Sequence, residues 1–177
     1  NGLVTAHYLV EAGMKVLEIE RRDFVGGAVV TEELWPGFSV PTCSYVCYVL
    51  QPKIIDDLRL HEYGFDIHAM DPFSFVPFRN GHRIIGWDDD EAVAREIARI
   101  SEHDARVYPE FKRNWDRMAS LVHRFLLQPA PSMADIVESA RETGDEDVLD
   151  RLLFGSLTDL LEEHFESSEV KGYYAMA

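Results

Sequence analysis

The chain has 177 residues, room for one domain or one and a half. An apolar fraction of 46% with 28% charged residues describes a globular chain with a buriable core, not a disordered one. A net charge of −15 argues against a nucleic-acid partner, because phosphates are neutralised by clustered Lys and Arg.

From the start, Leu3, Val4, Ala6, Leu9 and Val10 recur at offsets of three and four, which predicts a helix over 2–12 with Gly13 as its C′ residue. Lys15 to Glu20 is a β-branched and aliphatic run that reads as a short, largely buried strand ending in an acid. Asp23 to Val30 is a loop passing into a strand. Trp35-Pro36-Gly37 is a turn, and Phe38 to Val40 is a further short strand. Cys43 and Cys47 stand in C-x3-C spacing, neither a redox C-x-x-C nor a zinc pattern, and are expected as small, semi-buried residues in a reducing compartment, cytoplasm or organelle matrix. A helix covers 52–60, with Ile54, Ile55 and Leu58 on its apolar side. Asn80-Gly81 joins the strands 73–78 and 82–87 into a hairpin.

After Trp87 the character changes, and a domain boundary is expected near 88. Asp88-Asp89-Asp90 supplies an N-cap and favourable dipole charge for a helix over 91–100. Ser101 with Asp104 resembles a capping box for the next helix. That helix carries Tyr108, Phe111, Trp115, Met118, Val122 and Phe125 at spacings of 3, 4, 3, 4 and 3, a sustained core stripe. Pro109 must lie in its first turn or kink it, and Pro129-Ala130-Pro131 ends it. Two more helices are expected near 133–142 and 148–165.

The chemistry concentrates early. An acid at the end of a second strand can accept hydrogen bonds from both ribose hydroxyls of an adenosine, and Glu20 follows Gly2 at close to the spacing of that arrangement. Gly2 has no side chain to hold a ligand away from a helix N-terminus. Gly26 and Gly27 allow a sharp turn and close approach to a ligand. Arg22 can meet a diphosphate or brace the loop, while Arg21 reads as surface. His61, His68 and His103 fit no metal-ligand pattern, and no metal site is expected.

Asn1-Gly2, ERRDFVGG over Glu20 to Gly27, and TEELWPGFSVPTCSYV over Thr31 to Val46 together resemble the phytoene-desaturase-like FAD/NAD(P)-binding oxidoreductases, within the wider amine-oxidase-type flavoprotein group. The resemblance covers residues 1 to about 90. It implies an α/β fold: a Rossmann-like FAD-binding half-domain over 1–88, truncated before its first strand and glycine loop, then a mostly helical substrate-side region over 89–177. It implies FAD as cofactor. Gly2 would lie against the diphosphate and Glu20 would bind the adenosine ribose. Arg22, Gly26 and Gly27 would border the diphosphate and ribityl chain. Many relatives place Arg directly after the glycine pair; here Ala28 stands there, so only backbone contacts remain. Thr42, Cys43 and Ser44 would approach the isoalloxazine edge, or else pack as an ordinary loop under the sheet.

The expected reaction is hydride transfer between a small apolar substrate and the flavin, in desaturation, saturation or isomerisation. No catalytic acid or base is assigned. An alternative is a non-catalytic scaffold that retains the flavin fold; the glycine pair speaks against a third reading, an NAD-only dehydrogenase. A carotenoid-type substrate would leave membrane contact open, but no basic amphipathic helix supports it. The oligomeric state is not read. The chain without its first strand is expected to bind FAD weakly or not at all, because the 15–20 strand loses a neighbour.

Overall fold

The computed structural model describes residues 1–176. The chain divides into two compact units, Asn1–His68 and Ala69–Ala177.

In the first unit, α1 (Gly2–Glu11) ends as its sequence predicts. Gly13 adopts φ +79° and donates its N–H to Val10, while Met14 N–H reaches back to the Leu9 carbonyl at 3.0 Å. These paired bonds satisfy carbonyls that the last turn leaves free. The run 15–20 forms no strand. A strand needs a neighbour for its ladder, and both described sheets are two-stranded antiparallel hairpins made by other residues. Leu17 and Ile19 are 83% exposed, so the expected buried strand is corrected to an exposed extended segment.

A single 3₁₀ turn over Gly27–Val29 leads into β1 (Thr31–Trp35), which pairs antiparallel with β2 (Phe38–Pro41). Pro36-Gly37 closes this hairpin, with Gly37 at φ +81° and its N–H donated to Glu33 Oε1 at 2.6 Å. Then α2 (Pro52–Asp57) places proline in its first turn, where a missing N–H costs nothing. Asp57 Oδ2 accepts from Tyr8 at 2.6 Å and from Lys53 at 2.5 Å, tying α1 to α2. The bond to Asp57 pushes the Tyr8 hydroxyl up from its ordinary range. Among the described residues of this unit, Val30 is the one buried apolar side chain.

The second unit begins with the expected hairpin, β3 (Ser74–Pro77) paired with β4 (Arg83–Gly86) around Gly81 at φ +88°. Ile84 of β4 is fully buried with Val93 and Ile97 of α3 (Asp90–Ala98). The hairpin therefore shares the helical core, and the two compact units divide at 68/69. Asp89 caps α3 by accepting from the N–H of Glu91 and Ala92, which assigns the acid run to a helix start.

The longest helix is α4 (Glu102–His123), and it carries Pro109 internally, beyond its first turn. Tyr108, Phe111 and Met118 of the expected stripe are buried. Leu121 is buried where Val122 was expected, and Val122 and Trp115 are exposed. The remaining helices are α5 (Met133–Thr143), α6 (Glu146–Phe154), α7 (Leu157–His164) and α8 (Ser168–Ala175). One helix was expected over 148–165. It is broken at Gly155-Ser156, where Ser156 Oγ accepts from Asp159 N–H at 3.0 Å and starts a new helix. The core forms two clusters, one of Tyr108, Phe111, Phe165 and Tyr173 with the hairpin and α3, the other of Met118, Leu121, Ala140, Val148 and Leu149.

Candidate nucleotide site

The residues expected to hold a nucleotide all belong to the first unit. Gly2 opens α1, and a Cβ there would crowd only the carboxylate end of the exposed, flexible Glu18 side chain. Glu20 is exposed and turns back on its own chain, its Oε1 accepting the Arg22 N–H at 2.9 Å. The carboxylate beside Gly2 is that of Glu18.

The glycine pair adopts the conformations that favour glycine. Gly26 has φ +127° and Gly27 has φ +55°. A Cβ on Gly26 would meet Val30 Cγ2 at 2.7 Å, whereas one on Gly27 would point into open space. Gly26 is therefore required by both torsion and packing, and Gly27 by torsion alone.

Behind the turn lies the following segment. Ser44 N–H donates to the Ala28 carbonyl at 3.1 Å and Thr42 N–H to the Val30 carbonyl at 3.3 Å. These bonds bring Thr42, Cys43 and Ser44 against the 28–30 backbone, a juxtaposition the spacing alone did not supply. Cys43 and Cys47 are both free and exposed, which corrects the expectation of semi-burial. Neither is drawn inward, because this unit has little core to draw it.

Arg22 is already engaged. Its guanidinium donates to Glu32 Oε1 at 2.7 Å and lies 4.0 Å above the centre of the Phe24 ring. Glu32 also accepts from Thr42 Oγ1 at 3.4 Å. Phe24, Val25, Gly26, Val30 and Glu32 line an open cavity of about 570 Å³. Glu32 and Phe24 were missed from sequence. Glu32 stood in a stretch read only by resemblance, and a pairing across ten residues has no local signature.

These features fit a nucleotide cofactor. An exposed carboxylate ends an extended segment, a positive-φ glycine turn follows with open space beside Gly27, and a cavity adjoins the turn. Residues 1–70 match the family model of the NAD(P)-binding Rossmann-like domain.

Curated relatives extend the similarity beyond that region. A pyridine nucleotide-disulfide oxidoreductase domain-containing protein 2 from Mus musculus is 36% identical over 74% of this chain and 24% of its own length. The Rattus norvegicus protein of the same description is 29% identical over 99% of this chain and 35% of its own length. A limonene dehydrogenase polypeptide from Castellaniella defragrans is 33% identical over 67% of this chain and 22% of its own length. The chain is thus similar to a NAD(P)-binding Rossmann-like domain over its first 70 residues and to oxidoreductase-type proteins beyond them. The chain spans about a quarter to a third of the length of these curated relatives. No solved structure matches. Among the described residues no helix is long and apolar enough to cross a membrane.

Proposed function

We propose that this chain serves an FAD-dependent oxidoreductase of the phytoene-desaturase-like group acting on a small apolar substrate. The observation that carries the reading is the Gly26–Gly27 turn, held at positive φ six residues after the acid that ends an extended segment, within the residues that match the Rossmann-like model. Gly2 would let the diphosphate approach the start of α1. Glu20 would accept from the adenosine ribose, for which its carboxylate must leave the Arg22 N–H or share it. Gly26, Gly27 and Ala28 would offer backbone N–H groups rather than side chains. When bound, the flavin supplies the hydride-accepting centre, and the chain supplies position and electrostatics.

The second unit supports a substrate-side role. Its cavity of about 220 Å³ is lined by Trp115, Met118, Leu152, Leu157 and Leu160 together with Arg151, Asp159 and Glu163, an apolar surface with a few charged groups that suits a largely hydrocarbon ligand. The similarity to a limonene dehydrogenase polypeptide supports an apolar substrate class.

The deciding experiment is the absorbance spectrum of the purified full-length protein, followed by its reduction with NAD(P)H or dithionite and reoxidation by an added acceptor. A bound flavin that cycles between the two states is expected. Colourless protein that takes up no FAD and co-purifies with a partner would replace the enzyme by the scaffold reading, which the alanine at position 28 favours.

A further inference from the structure

We propose that Arg22 is a positioning residue that clamps the glycine turn onto the β1–β2 hairpin, and not a ligand of the cofactor's diphosphate. The inference rests on the nucleotide-binding reading and deepens it. The geometry is a three-part stack. Nη2 of the guanidinium donates to Glu32 Oε1 at 2.7 Å, and its central carbon lies over the Phe24 ring, 4.0 Å from the ring centre. Phe24 precedes the glycine pair by two residues and lines the cavity beside it, while Glu32 is the second residue of β1. Arg22 thus joins the start of the loop to the strand that leaves it.

Two physical arguments favour a clamp over a ligand. The Glu32 carboxylate already offsets the guanidinium's charge, and it lines the cavity, so a diphosphate approaching Arg22 there also meets the Glu32 anion. The cation over the Phe24 ring also holds that side chain beside the glycine turn. Thr42 adds a second donor to Glu32, so the same carboxylate gathers the glycine loop and the segment after β2.

The test uses the full-length protein stripped of flavin. FAD dissociation constants are read from quenching of flavin fluorescence, and cleavage within 23–29 by a non-specific protease is followed without FAD. Arg22→Gln and Glu32→Gln are expected to weaken FAD binding by a similar factor, about threefold to fivefold for a partly exposed pair. Both are expected to speed loop cleavage. The reversed pair, Arg22→Glu with Glu32→Arg, is expected to recover most of the affinity and protection, and Arg22→Lys to fall between. The clamp is overturned if Arg22→Gln costs tens of fold and reduces the salt dependence of binding while Glu32→Gln is neutral or tightens it, for then Arg22 meets the diphosphate. Should the wild type bind no FAD, the functional reading fails separately. The cleavage rates then decide alone: equal acceleration in both single variants with recovery in the reversed pair upholds the clamp, and unchanged rates reject it.

Discussion

Asp104 shows what one side chain can do that its sequence neighbourhood does not announce. It is fully buried, and its carboxylate accepts from Glu166 N–H at 2.8 Å, Ser167 N–H at 3.0 Å and Ser167 Oγ at 2.5 Å. Sequence places it in a capping box with Ser101. The structure keeps half of that box, since Asp104 N–H donates to Ser101 Oγ, but the Asp104 carboxylate turns to the residues before α8 instead. Burial pushes this carboxyl up, and the hydrogen bonds from Ser167 and the Glu166 N–H outweigh it, leaving its pKa below the ordinary range. A depressed folded-state pKa means stability that is fully present above the ordinary carboxylate value and lost as pH falls through the folded one. Asp104→Asn is expected to cost roughly 2–4 kcal/mol, because an amide cannot accept from three donors. It should also flatten the acid limb of the stability curve, as read by urea unfolding across pH. At the other end of the chain, Gly26→Ala is expected to weaken FAD binding by about tenfold, from positive φ combined with the Val30 clash. Gly27→Ala should cost less, since nothing lies in the path of its Cβ.

Elements in the second unit are set largely by their ends. Ser132 and Asp135 form a complete capping box for α5, and Gly144 at φ +71° closes that helix. Arg117 then fastens α4 to the turn that follows, donating to Asp145 Oδ1 at 2.7 Å, to Asp147 Oδ1 at 2.6 Å and to the Gly144 carbonyl at 2.9 Å. Hydrogen bonds to Asp147 and Asp145 hold its guanidinium protonated far beyond any working pH. At the break between α6 and α7, Gly155 leaves the first helix in an extended conformation and the Ser156 hydroxyl caps the second. Ser156→Ala is expected to lower unfolding free energy by about 1 kcal/mol, the usual worth of such a cap, measured by denaturant titration. Charge runs and caps were legible in the sequence because their partners lie within four residues. The Gly155-Ser156 break is equally local, but the apolar spacing continues through it and masks it in the sequence.

At the scale of the molecule, the two units differ in how much they bury. The second holds two apolar clusters; the first keeps Leu17, Ile19, Tyr45, Tyr48 and Val49 largely exposed. Backbone opening follows buried contact density, so amide hydrogen exchange is expected to be fast across 14–50 and slow at Ile97, Phe111 and Val148. FAD added to the full-length protein should slow exchange around 20–30 if the proposed site is used; exchange unchanged there would argue against it. The sequence by itself determined the local punctuation: α1 with its Gly13 ending, the 80–81 turn, the Asp89 cap, and the glycine pair that draws attention to the 20–28 region. Only the tertiary structure decided which side chains serve the loop, which stripe positions are core, and whether 15–20 makes a strand. The reason is range. Torsion and capping are settled by neighbours a few residues away, whereas a ladder, a buried carboxylate and the Arg22–Glu32 pair each need a partner that spacing cannot name.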